Sequence, residues 1–122
     1  MALDHLGFNV KDFKKSFEFY TKALAPLGIE VVSQGEQWTT LGENGKVEFW
    51  FGTMSEASTK VHVAFLAKTK EQVDQFYALA IALGAKDNGA PGKRAQYRPN
   101  HYAAFVYDFD GNNIEAVCHL PL

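Results

Sequence analysis

Much of what this chain lacks narrows its possible functions. It has one cysteine, Cys118, which excludes an internal disulfide and fits a reducing compartment, where such a residue reads as a small buried hydrophobe. No apolar run approaches the roughly 20 residues needed to span a bilayer; the longest is Tyr77 to Ala85. Neither sign of charge dominates: 12 Lys and Arg stand against 14 Asp and Glu, a net charge of −2. With no basic stripe and no tail of like charges, nucleic acid and membrane surfaces are not expected partners. The opening "MALDHLGFNV" has an aspartate and a histidine where a signal peptide would carry positive charge and then an apolar stretch, so a cytoplasmic location is expected. The remaining composition, 47% apolar over 122 residues, is enough for one compact domain over residues 1–122.

The order of elements follows from hydrophobic periodicity. Residues 3 to 10, "LDHLGFNV", alternate with Leu6, Phe8 and Val10 on one side and His5, Gly7 and Asn9 on the other, the period of a strand. Asp12 then caps a helix whose Phe13, Phe17, Tyr20 and Leu24 recur at helical spacing, and Pro26 with Gly28 stops it. Strands are expected at 29–33, 38–41 and 47–51, the last two joined through Asn44-Gly45, a two-residue hairpin signal. The same plan restarts near residue 60: a strand in "VHVAFLAKT", a capping box of Thr69 with Gln72, and Val73, Phe76, Ala80 and Leu83 on one helical face. A short strand at 85–90, a polar loop at 91–101 and two strands across Asp110-Gly111 complete it. The fold class is therefore α+β, two tandem βαβββ modules, about 1–55 and about 60–122.

The two halves also repeat in detail. His5 falls on His62, Phe8 on Phe65, Phe19 on Phe76 and Tyr20 on Tyr77 at a constant offset of 57 residues. "VEFWF" falls on "IEAVC", which pairs Glu48 with Glu115. Each module thus offers a histidine on its first strand and a glutamate on its last. Alternation puts all four on the face away from the apolar side. A charged side chain in an apolar strand needs a partner, and two imidazoles with two carboxylates form a credible donor set for a divalent metal such as zinc, nickel, iron or manganese. The residues leave a second reading open, in which the two His-Glu pairs hydrogen-bond to one another.

Three stretches carry a family resemblance across essentially the whole chain: "LDHLGFNVKDFKKSFEFYTKAL", "VHVAFLA" and the closing hairpin "YDFDGNNIEAV". On these the sequence resembles the vicinal-oxygen-chelate superfamily of glyoxalase I, extradiol dioxygenases and bleomycin-resistance proteins. The resemblance implies paired βαβββ modules forming a curved mixed sheet around a metal cleft, often in a homodimer. It implies His5, Glu48, His62 and Glu115 as metal ligands of the glyoxalase type, whereas the three-ligand dioxygenase set would use His5, His62 and Glu115. It also implies a metal-dependent lyase or isomerase acting on a small oxygenated substrate through an enolate-like intermediate, with Glu115, then Glu48, as the carboxylate that moves the proton. The alternatives are an Fe(II) extradiol-type dioxygenase and a metal-free small-molecule binding protein. Two departures stand out: Asn9 replaces an arginine that holds glutathione in glyoxalase I, and Phe109 replaces the proline common in the closing hairpin, a change expected to affect only the turn.

Around this set, Trp50 shares the parity of Glu48 and is a candidate cleft wall, with Trp38 as a second. The loop "GAPGKRAQYRPNHY" fails the P-loop pattern, because Asp87 stands where a glycine is required and Arg94 follows Lys93. Its Arg94, Arg98, His101 and Tyr102 are expected to border the cleft. His119 lies on the Glu115 face four residues on, and Asn9 faces the same cleft in the first module; both are candidate substrate contacts.

Overall fold

The computed structural model describes residues 3–58, 60–96 and 99–120. The first module runs β1 (Leu6–Asn9), α1 (Phe13–Ala23), β2 (Glu30–Gln34), β3 (Trp38–Glu43) and β4 (Lys46–Gly52). The second runs β5 (His62–Leu66), α2 (Lys70–Ala82), β6 (Lys86–Asp87), β7 (Gly92–Lys93), β8 (His101–Tyr107) and β9 (Asn113–His119). Local chemistry sets the ends. The Asp12 carboxylate accepts from the Lys15 N–H at 3.1 Å, and the Thr69 hydroxyl accepts from the Gln72 N–H at 3.2 Å, each satisfying one amide that a helix start leaves unpaired. After α1 a turn of 3₁₀ helix containing Pro26 ends in the left-handed Gly28, φ 84°. Asn44 and Gly45, at φ 55° and 77°, make the tight β3–β4 turn that requires positive φ at both positions.

The two sheets repeat one topology. Strand order is β1-β4-β3-β2 in one and β5-β9-β8-β6 in the other, with β7 also on β8. In each, the first strand lies parallel to the last, β1 on β4 and β5 on β9. The expected polar loop is shorter than the sequence suggested. Its Gly92 and Lys93 pair with β8, and His101 is already a strand residue, registered against His119.

One buried apolar cluster runs through both modules. Tyr20 packs its ring at 5.4 Å from Phe49 and 5.1 Å from Phe51, and Phe49 meets Phe65 of the second module edge-on at 5.3 Å. Each such ring is worth about 1.5–3 kcal/mol of burial. Phe109 does more than shape its turn, against the sequence expectation. It packs on Phe19 at 5.3 Å, and the Lys15 ammonium sits over its ring at 4.5 Å, so it ties the closing hairpin to α1. Among the described residues no helix is long and apolar enough to cross a membrane.

Candidate functional site

The site is built on the outer face of the second sheet. Along β9, Ile114, Ala116 and Cys118 turn into the core, which sends Glu115, Val117 and His119 to the other side. Register then sets the neighbours. Glu115 lies between Ala64 of β5 and Phe105 of β8. The residue is only 4% exposed, and each carboxylate oxygen has an imidazole partner: Oε1 lies 2.9 Å from His62 Nε2 and Oε2 lies 3.0 Å from His101 Nε2. The cost of burying a carboxylate is offset by two charge-assisted donors, one per oxygen. His62, His101, Phe105, Asn113 and Glu115 together line a cavity.

The surround is partly apolar and partly polar. Ala103, Phe105 and Val117 form a small buried cluster on this face, separate from the main core. The Arg94 guanidinium rests over the Phe105 ring at 5.4 Å and is held by donation to the Ala90 carbonyl at 2.7 Å. Asn88 donates to the Asn113 side-chain carbonyl at 3.2 Å, which fixes the segment carrying Arg94 beside the cavity.

His5 and Glu48 are elsewhere. They border a second cavity, of about 370 Å³, at the seam between the modules, lined by Leu6, Leu41, Phe49 and Phe65 among others, and it shares no lining residue with the cavity at Glu115. His5 is exposed and bonded to its neighbour Asp4, Nδ1 to Oδ2 at 2.8 Å. The four sequence candidates are therefore gathered as two pairs. His62 and Glu115 stand on the paired strands β5 and β9, whereas His5 lies just before β1, and among the described residues the two sheets share no strand pairing. Among the described residues no group of three or more His, Cys, Asp or Glu could hold a metal ion. Imidazole nitrogen and carboxylate oxygen remain the donor types that divalent first-row metals take, and the His62–Glu115 spacing of 2.9 Å suits two ligands of one ion, which at usual bond lengths lie roughly 3 Å apart. The residues fit a metal in kind, as part of a coordination sphere.

The remaining candidates divide. Trp50 lies against Gly7, where an added Cβ would come 2.8 Å from its ring carbon Cε3, so it faces the outer side of the first sheet. Trp38 packs over Gly35 and Gly52. Asn9 is no free contact: its side-chain oxygen accepts from the amides of Met54 at 3.0 Å and Ser55 at 3.2 Å, which pins the loop after β4. Tyr102 turns away from the cleft, because it neighbours His101 on a strand. Its hydroxyl donates to Asp74 at 2.7 Å, and that bond pushes its pKa up to about 12. His119 is exposed, its ring 5.9 Å from that of His101. Arg98 lies outside the described residues. Burial pushes the Cys118 thiol up, which keeps it un-ionised and unreactive. Sequence reasoning missed Phe105 and Asn113. Asn113 shares the parity of Glu115, a signal that was available.

A family model described as Glyoxalase/Bleomycin resistance protein/Dioxygenase superfamily matches residues 2–116. Among solved structures, the chain is similar to a glyoxalase/bleomycin resistance protein from Albidiferax ferrireducens T118, at 27% identity and TM-score 0.85, covering 97% of this chain and 99% of that one. It is similar in fold to a glyoxalase/bleomycin resistance protein/dioxygenase family enzyme from Burkholderia phytofirmans PsJN, at 21% identity and TM-score 0.73, covering 98% and 100%. A third is the fosfomycin resistance protein FosX from Listeria monocytogenes, complexed with Mn(II) and 1S,2S-dihydroxypropylphosphonic acid, at 24% identity and TM-score 0.66, covering 94% and 87%. No curated protein matches.

Proposed function

We propose, from the premise that this chain belongs to the Glyoxalase/Bleomycin resistance protein/Dioxygenase superfamily, that it is a metal-dependent enzyme of the glyoxalase type, a lyase or isomerase that moves a proton on a small oxygenated substrate. The observation that carries the reading is the buried Glu115 carboxylate held between His62 and His101 at a cavity. That carboxylate lines the cavity, within hydrogen-bonding reach of a group bound there.

In this reading Glu115 takes the substrate proton at Oε1. His62, at the exposed mouth, gives way from that oxygen as substrate enters. Asn113 donates to a substrate oxygen, and the Phe105 ring keeps water from the carboxylate. A bound divalent ion would supply positive charge to vicinal substrate oxygens and to the negative charge that develops. His62 and Glu115 would be this chain's share of its ligands. His5 and Glu48 of a second copy would complete the set in a homodimer, which gives the outer faces of both sheets a shared role. FosX, a fold neighbour, is a precedent for Mn(II). Glutathione is not part of the proposal, since Asn9 stands where the arginine would be and its oxygen is already bonded twice.

The test is metal analysis of protein purified without chelator, combined with its solution mass and an assay of methylglyoxal with and without glutathione. Retained metal in a dimer with Glu115-dependent turnover is expected. A protein that holds no transition metal even after reloading overturns the metal reading. One observation favours a second reading, a metal-free protein that binds a small amphipathic molecule: both histidines already spend a ring nitrogen on Glu115, and the apolar seam cavity stands open beside Leu66, 65% exposed. Ligand affinity indifferent to chelation would select it.

A further inference from the structure

We propose that His101 is a positioning residue: it anchors Glu115 through Oε2 and so makes Oε1, the oxygen beside His62, the one that reacts. The inference rests on the proposed function only in taking Glu115 as the base.

The two histidines on Glu115 are not equivalent. The His101 side chain is 11% exposed and that of His62 is 53% exposed, against 6% for Glu115. A hydrogen bond between two buried groups has no water to replace it, so breaking it leaves an unpaired donor beside an unpaired charge. A bond to an exposed imidazole can be exchanged for one to water or substrate at little cost. His101 is also fixed in place by its backbone. Its Cα is registered against His119, its carbonyl accepts from the Arg94 amide at 2.8 Å, and the preceding Asn100 carbonyl accepts from Leu120 at 2.7 Å. His62 begins an edge strand that pairs on one side only.

The consequence is a division of labour within one carboxylate. A glutamate side chain has three rotatable bonds, and a base works only if its oxygen is held within about 2.6–3.2 Å of the proton it takes. The buried bond to His101 removes the rotamers in which Glu115 would swing from the cavity. The exposed bond to His62 leaves Oε1 available. Because His101 donates through Nε2, its ring must be the Nε2–H tautomer or the doubly protonated form, and this can be measured without substrate or metal.

The test uses ¹⁵N–¹H correlation spectra of histidine-labelled, metal-free protein, for the wild type, H101Q and H101L. Glutamine keeps an N–H at about the reach of Nε2, and leucine removes the donor while filling the space. The wild type is expected to show protonated Nε2 on both His101 and His62. In H101L the His62 signals shift toward mixed tautomers as Glu115 is released, and H101Q restores them. Where turnover is found, H101L lowers kcat roughly 10–100-fold, the loss typical of a removed orienting partner, with KM little changed and kcat largely recovered in H101Q. A wild-type His101 protonated only at Nδ1, or His62 signals identical in the wild type and H101L, overturns the proposal and leaves the metal reading standing. A protein without metal overturns the metal reading and leaves these spectra to decide the role of His101. The wild-type spectrum decides even if H101L fails to fold.

Discussion

The Tyr20 hydroxyl donates to Asp108 Oδ2 at 2.5 Å, across 88 residues and between the two modules, with both side chains buried. The same carboxylate accepts from the amides of Asp110 at 2.9 Å and Asn112 at 2.8 Å, and from the Asn112 side chain at 3.0 Å. Asn112 in turn accepts from the Val61 amide at 3.1 Å, just before β5. One buried charge thus ties α1, the closing hairpin and the strand that carries His62.

Replacing Asp108 with alanine removes four acceptor contacts and leaves the Tyr20 hydroxyl buried without its partner. We expect a loss of about 3–5 kcal/mol, the range for breaking a buried charged network, against about 1–2 kcal/mol for Y20F, which removes one donor. Urea melts of the two variants test the order; equal losses would show that the other three donors contribute nothing.

Burial, then the neighbouring Asp108 charge and its hydrogen bond, push the Tyr20 pKa well above its usual 10.0. The neutral phenol is therefore favoured in the folded state. Its contribution is full below the unfolded value and is lost as pH climbs from about 10 toward the folded value. Wild-type stability should fall more steeply than that of Y20F between roughly pH 9.5 and 11, as read by denaturant melts. Parallel curves would remove Tyr20 as the cause.

The substitution E115Q keeps the shape of the site and one acceptor while abolishing the base. We expect turnover to drop at least about 100-fold with unchanged far-ultraviolet circular dichroism. Activity within a few-fold of wild type would take Glu115 out of the proton transfer.

At Gly7 the close approach of Trp50, with Cε3 2.8 Å from an ideal Cβ, leaves no room for a methyl group. G7A should displace the indole, shift its fluorescence and cost about 1–3 kcal/mol, the usual penalty for overpacking. An unchanged emission spectrum would mean that Trp50 does not rest there in solution.

Asn9 offers the complementary case. N9A removes the acceptor for two loop amides and is expected to raise hydrogen exchange at Met54 and Ser55 while leaving ligand affinity within about 0.5 kcal/mol, as for substitutions away from a site. A large affinity loss would return Asn9 to the cleft.

Where parity operates, the sequence was a good guide. His62 and Glu115 were legible as sharing a face because each alternates out of an apolar strand; that they touch follows from the parallel pairing of β5 with β9. Tyr102 was misplaced because residues 91–101 read as a loop. Without a strand, parity says nothing, and adjacent residues are free to share a face. Once β8 begins at His101, the two must point apart. Asn9 had the right parity but stands at a strand end, where the returning loop claims its side chain, and such a contact leaves no periodic trace. Phe109 was legible as an aromatic in a turn; its partners Phe19 and Lys15 are some 90 residues earlier, beyond the reach of any local pattern.

By itself the sequence determined the two helices, most of the strands, the doubling of the module and the face on which His62 and Glu115 lie, because caps, turns and hydrophobic periods are local interactions. Tertiary structure alone decided that Glu115 is shared by His62 and His101, and that His5 and Glu48 line a different cavity. Those outcomes depend on strand register and on how two sheets meet, which are set by the packing of the whole core and leave no mark at any single position.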